Sequence, residues 1–573
     1  MRVVEKRGFP METREVLTDC TLCYHSCGCR VLIREGVAID VRGLESHPIN
    51  RGELCPKGEN MLKSVYHPDR LKYPLRKTKG GFERMSWDSA LEEISHKLNR
   101  LKSLHGPQAL GVFSGSVGVE NMEVAGLTQR FKAAFGSPNF FSVESVCYRM
   151  RIRTRQITFG KYPIEELNSR LYILWGHNPD ASDLPLKIAM EENLTKGAKL
   201  IVIDPRRIPA SDKADMYISI RPGTDGALAL GMMHVIIKEG LYDEEFINRH
   251  TTGFERLVPH VEKYTPEWAE EITTVPAGTT RTLARMFAMT KGAGIYQGTC
   301  TQDQTANGTQ NSRAFSILQA ITGNINVPGG WVMSPRPYFS NVGLEVEGEP
   351  LGAKEYPLFF EVWGRKSPYG VVTMVPENIP EKIRAFLVVG GNPLVSMPDS
   401  NAFRGAFRKL DLLIVHDMFM TETAEQAHYV LPACSHLEKW GIAYNYNVCH
   451  CLPFLMLRKQ CIEPLYEGWS EWKFYTELSK HLGIGDYFPW KTEEELVRFE
   501  LAPSGLSFDY LLDERPEGAF YQEKVYGIPD KAFKTPSGSI EIYSEALEKA
   551  GFDPLPTYRE PEKSPKGSSE DFK

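Results

Sequence analysis

A chain of 573 residues is too long for one hydrophobic core, since single cores stop growing at roughly 250–300 residues, so several domains are expected. Its 67 basic and 73 acidic side chains give a net charge of −6 with the signs interspersed, which excludes a nucleic-acid surface as the organising feature. No apolar run reaches the roughly 18–20 residues that span a bilayer, so any membrane link has to come through a partner.

The amino terminus, residues 1–16, is charged, with neither an apolar core nor an Arg-Arg pair, and no export signal is read there. Cys20-x2-Cys23-x3-Cys27 follows, and a fourth cysteine returns in Cys55-Pro56-Lys57-Gly58. Four thiolates so spaced can close around one inorganic centre, either a zinc ion or an iron–sulfur cluster. Cys29 is a spectator. Eleven cysteines, several at ligand spacing, argue for a reducing compartment rather than a disulfide scaffold.

Val31–Ile33 and Val37–Ile39 flank the turn Glu35-Gly36 and read as a hairpin behind the cysteine loop. From Asp88 to Leu104, apolar residues at helical spacing predict an amphipathic helix, with Ser89 and Glu92 as its capping box. Leu110–Phe113 reads as a buried strand leading into Gly115 and Gly118. Cys147 closes the stretch from Gly136, and Arg149, Arg151, Arg153 and Arg155 alternate after it. They suit either a cationic lining for an anion or ordinary ion pairs.

A repeat comes next. Leu171–Trp175 ends in Gly176-His177-Asn178-Pro179, and Lys199–Ile203 ends in Asp204-Pro205-Arg206. Phe386–Val389 ends in Gly390-Gly391-Asn392-Pro393, and Leu412–His416 ends in Asp417. Buried parallel strands ending this way are what a doubly wound α/β domain presents at its ligand edge, so two copies predict two nucleotide-like ligands. The acids would accept hydrogen bonds from ribose or a base edge while helix N-termini hold phosphates. Cys449, His450, Cys451 and Cys461 hint at a second metal site, but no matching distant pair follows, and ordinary thiols are expected.

The cysteine module, its Cys55-Pro56-Lys57-Gly58 return and Tyr66–Leu75 resemble the amino-terminal part of the dimethyl sulfoxide reductase superfamily. The resemblance implies a [4Fe-4S] cluster on Cys20, Cys23, Cys27 and Cys55, and molybdenum or tungsten held by bis-molybdopterin guanine dinucleotide. Lys57 would lie between cluster and pterin, and Cys147 would ligate the Mo or W ion. Gly176, Asn178, Asp204, Arg206, Gly223, Asp225 and Gly298 would serve one dinucleotide, and Gly391, Asn392, Asp417 and Thr421 the other. Gly323–Gly330 is similar to the family's pterin-side loop, and Arg336 falls near a substrate arginine of formate dehydrogenases.

The fold class implied is multidomain α/β: a small β-rich iron–sulfur module plus two Rossmann-like doubly wound domains related by internal duplication. The expected boundaries are 14–70 with part of 441–535 for the module, 143–336 for the first α/β domain, 71–142 with 337–440 for the second, and 536–573 for a linker and flexible tail. Lys534–Glu541 is similar to the segment that precedes the family's last domain, so a separate polypeptide supplying that domain is one expected partner. An iron–sulfur electron-transfer subunit or ferredoxin is the other.

The function implied is a cytoplasmic catalytic subunit performing two-electron redox on a small molecule. Three alternatives stand beside it: a tungsten hydratase of the acetylene hydratase type, a formate dehydrogenase, and a non-catalytic electron relay. Such hydratases carry Asp directly after the second cluster cysteine, where this chain has Tyr24, and formate dehydrogenases usually carry His after the metal ligand, where it has Tyr148.

Overall fold

The computed structural model describes residues 13–115, 122–333, 337–444, 446–529 and 532–562. Strands Thr13–Asp19, Gly28–Arg34 and Val37–Gly43 form an antiparallel sheet. The hairpin turn puts Glu35 and Gly36 at φ 50° and 79°, the left-handed pair that matches strand twist. A second antiparallel sheet, Gly441–Ala443, Phe454–Arg458 and Ala519–Phe520, packs against this one. The Arg458 guanidinium forks onto Asp19 at 2.8 Å through both Nε and Nη2, with both side chains fully buried. The pair satisfies two charges that would be costly alone.

The first α/β lobe holds a four-stranded parallel sheet in the order Met216–Ile218, Lys199–Ile203, Leu171–Trp175, Ala293–Gln297. Successive side chains of Leu171–Trp175 point to opposite faces, and both faces are covered. Leu171, Ile173 and Trp175 meet helices Asp225–Lys238, Ala277–Met289 and Gly308–Ile321, whereas Tyr172 and Leu174 meet Leu184–Thr195. That is why the run is apolar throughout rather than alternating.

The second lobe repeats the plan in a seven-stranded sheet. Its parallel part runs Tyr429–Pro432, Leu412–Asp417, Ala385–Val389, Leu110–Ser114, Phe140–Ser142, and the antiparallel hairpin Leu75–Thr78, Gly81–Arg84 forms one edge. Ala385, Leu387 and Val389 face helices Trp87–His105 and Glu471–His481, whereas Phe386 and Val388 face Ser400–Phe407. In both sheets the strand order reverses once, between Leu171–Trp175 and Ala293–Gln297 and between Ala385–Val389 and Leu110–Ser114. Such reversals open the crevice where α/β sheets bind ligands.

Two expectations need correction. Helix Trp87–His105 starts a turn earlier than the capping-box reading, because Ser86 caps it by accepting from Ser89 N at 3.2 Å. Residues 536–562 are not a linker: strand Ile540–Glu541 pairs in parallel with Thr251–Thr252, and Ile540 and Ile542 are fully buried. The buried Arg313 guanidinium fixes this segment by donating to the carbonyls of Glu541, Ile542 and Pro554. Among the described residues no helix is long and apolar enough to cross a membrane.

Candidate functional site

The pairing of Asp19 with Gly28 closes the loop that carries Cys20, Cys23 and Cys27, and Cys20 N donates to Cys27 O at 2.8 Å. Asn50 ties the returning segment to this loop: its side chain accepts from Gly28 N at 2.9 Å and donates to Gly28 O and Glu53 O. Cys55 is thereby brought in as the residue capping the short helix Pro56–Glu59. Burial pushes the Cys20 thiol up to about 12, and Cys23 and Cys55 add to the rise. Burial also raises Cys27, with Cys20, Cys23 and Cys55 contributing. Four thiols that disfavour one another's charge, yet are held together, fit a cationic centre.

Cys147 ends the turn Val143–Val146, which continues the second-lobe strand Phe140–Ser142, and helix Arg149–Phe159 begins two residues on. It lines a cavity of about 250 Å³ together with Tyr24 of the cluster loop, Tyr148, Arg151, His177 and Asp183. The alternating arginines do not form a free cationic lining. Arg149 is paired with Glu144, Arg151 with Asp303, and Arg155 with Glu165, while Arg153 donates to the carbonyls of Phe359 and Arg365. Of the four, Arg151 borders the cavity.

At the first-lobe crevice, a Cβ on Gly298 would overlap the carbonyl oxygen of Gly176. Gly176 itself is at φ 59°, a conformation that glycine adopts at no cost. At the second-lobe crevice, a Cβ on Gly115 would overlap the carbonyl oxygen of Gly390, and one on Gly391 would come within 2.7 Å of Phe113 Cε1. At both reversals the two strand ends thus approach too closely to admit a side chain between them.

The carboxylates stand beside these glycines. Asp225 accepts from Trp175 Nε1 at 2.9 Å, and burial, with a contribution from Asp204, lifts it to about 6. Asp204 accepts from Arg206 N at 2.8 Å, while the Arg206 side chain is exposed. Asp417 accepts from Phe419 N at 3.1 Å and is also lifted by burial to about 6. Thr421 caps helix Glu422–Gln426, and Gly223 sits at φ 80°. Asn178 Oδ1 is buried without a hydrogen-bond partner, an orphan acceptor of the kind a bound nucleotide would satisfy.

Lys57 lies exposed in the turn after Cys55, and Arg336 lies outside the described residues. Sequence reading missed the grouping of His25, Asp183, His177 and His450. The Cys449–Cys451 run was the available signal, but the partners of His450 come from two other parts of the chain.

Residues 13–67 match the molybdopterin oxidoreductase Fe4S4 domain, and residues 70–481 match molybdopterin oxidoreductase. The chain belongs to the molybdopterin oxidoreductase family, and its cofactors are those of the family: a [4Fe-4S] cluster and bis-molybdopterin guanine dinucleotide with Mo or W. It is 32% identical over 592 residues to acetylene hydratase of Syntrophotalea acetylenica, spanning 95% of this chain and 79% of that protein. It is 28% identical to the thiosulfate reductase molybdopterin-containing subunit PhsA of Salmonella typhimurium (95% and 76% covered). Formate dehydrogenase H of Escherichia coli is 30% identical (82% and 68% covered). The solved acetylene hydratase from Pelobacter acetylenicus superposes with a TM-score of 0.86 at 29% identity, covering 96% of this chain and 80% of that one.

Proposed function

We propose that this chain carries out two-electron redox chemistry on a small molecule bound beside Cys147 and exchanges the electrons with an iron–sulfur subunit or ferredoxin in the cytoplasm. The observation that carries the reading is that Cys147 and the cluster-loop residue Tyr24 line one cavity, so mid-chain thiol and cluster module meet at a single site. When bound, the cofactors would supply two-electron redox at the metal and one-electron steps at the cluster.

The residues' own tasks follow from their places. Cys147 would supply a thiolate ligand, and Cys20, Cys23, Cys27 and Cys55 would hold the cluster. Lys57, on the turn that Cys55 begins, would lie toward the pterin. Gly176, Gly298, Asn178, Asp204, Arg206, Gly223 and Asp225 would cradle one dinucleotide, the glycines admitting its phosphates and the acids receiving its hydrogen bonds. Gly391, Asn392, Asp417 and Thr421 would do the same for the other. Arg336 would contact substrate.

Net hydration is the second reading, favoured by the 32% identity to an acetylene hydratase. Tyr24 weighs against it, because a phenol is a poor replacement for the carboxylic acid that activates water in those enzymes. Anoxically purified protein, assayed with a redox dye against formate, sulfur oxyanions, polysulfide and acetylene, separates the two. Dye-coupled turnover that Cys147→Ala lowers to background, while the cluster EPR signal persists, is the expected result. Acetylene consumption without electron transfer, or unchanged turnover in the variant, would sink the proposal.

A further inference from the structure

Three side chains from distant parts of the chain meet beside the cavity, and two of them, Asp183 and His450, line it. His25, in the cluster loop, places Nδ1 2.9 Å from Nε2 of His450. Its Nε2 donates to the carbonyl of Ser182 at 2.9 Å and stands 3.5 Å from Asp183 Oδ1. One donor atom from each of His25, Asp183 and His450 lies within 4.8 Å of the other two, and all three residues are buried. Asp183 is held by its own role as N-cap of Leu184–Thr195, where Oδ1 accepts from Leu186 N at 3.1 Å.

The charge balance asks for a cation. Among the described residues, the ion-pair neighbours of the Asp183 carboxylate are the imidazoles of His25 and His177, and no lysine or arginine pairs with it. A carboxylate taken out of water is paired or coordinates a metal.

Geometry and chemistry select the class of ion. His25 Nδ1 and His450 Nε2 share a hydrogen bond of 2.9 Å, and a tetrahedral ion with bonds of about 2.0–2.1 Å would replace its proton and part the two nitrogens to about 3.3 Å. The Nε2–H of His25 meets a backbone carbonyl, the outer-shell contact that fixes the tautomer of a ligating histidine. Two imidazoles with one carboxylate suit zinc or ferrous iron, whereas calcium and magnesium prefer all-oxygen shells.

We infer that His25, Asp183 and His450 form a binding site for a divalent first-row transition ion of the zinc or ferrous class, on the wall of the cavity that Cys147 also lines. His450 and Asp183 both border that cavity. The site rests on its own donors and not on the role proposed for Cys147.

The test is elemental analysis of the anoxically purified holoenzyme, with His450→Gln and Asp183→Asn prepared alongside. Asparagine also caps helices, so Asp183→Asn removes the charge while keeping the fold. The wild type is expected to hold one divalent ion beyond Mo or W and the four cluster irons, or to take up one equivalent of Zn²⁺ or Co²⁺ after mild chelation. Both variants lose that equivalent and keep the EPR signal of the reduced cluster. A wild type that neither holds nor takes up such an ion overturns the inference, and so does an ion that both variants retain.

Discussion

In the first lobe Gly298 lies so close to Gly176 that a Cβ would overlap its carbonyl oxygen, and in the second Gly115 stands in the same relation to Gly390. Both contacts fall where the strand order reverses. The side chains around them have diverged. Asn392 accepts from Thr423 N and Oγ1 and donates to Glu422, whereas Asn178 keeps a buried carbonyl oxygen without a partner. Asp225 is anchored by an indole, and Asp417 by backbone. The two lobes share the backbone approach and differ in polar wiring: Asn392 is internally satisfied, and Asn178 keeps an unpaired acceptor.

The largest effect is expected at the glycines. Gly298→Ala and Gly115→Ala each force a methyl into a carbonyl oxygen with no flexible side chain to yield, so a loss of about 3 kcal/mol or more is expected, with failure to retain the dinucleotide. Purified yield and cofactor content would show it; full tolerance at one lobe would break the equivalence.

The carboxylates come next. Each has an ordinary value of 3.8 raised to about 6 in the fold, so the folded chain holds the proton more tightly than the unfolded one. That contribution is present below 3.8 and lost as pH rises through about 6. A rise of about two units is worth about 3 kcal/mol per group. Asp225→Asn and Asp417→Asn should each gain that much on the wild type across this window in denaturant unfolding of the cofactor-free chain. Unequal gains would mean that the two burials differ.

Smaller effects separate the lobes. Asn392→Ala should cost about 1–2 kcal/mol by leaving its neighbours unpaired, and Asn178→Ala markedly less in the cofactor-free chain, where its oxygen has no partner to lose. Arg221 forks onto Glu560 at 2.8 and 2.7 Å in a partly exposed pair, so Arg221→Ala should cost about 1 kcal/mol or less. Faster proteolytic release of the segment around Glu560 would report it.

Much of this was legible because its signals are local. Cysteine spacing within one loop, continuous apolar runs ending in Gly-Asn-Pro or Asp, and the Glu35-Gly36 turn each need only a few neighbouring residues. The arginines after Cys147 were ambiguous, because the partners that absorb them, such as Asp303 for Arg151 and Glu165 for Arg155, lie on other segments. The His25–His450 contact spans 425 positions, and each residue taken alone has an ordinary local reading. The docked segment after Pro536 was hidden in the same way: its composition suggests a tail, and the partners that give it a place, such as Thr251–Thr252 and the buried Arg313, lie far off in the chain.

The fork of Arg458 onto Asp19 joins residues 439 positions apart, and Thr18 and Arg14 likewise bond to Lys459 and Cys461. The thiol loop therefore emerges from the ribosome long before the strand whose sheet packs against its own. During synthesis it has to wait, open to oxygen and stray metal, until both lobes have been made. Iron delivery to this protein is thus expected to be a late event in its assembly, and a chain cut short before Arg458 should never retain iron at its first four cysteines, although it contains every one of them.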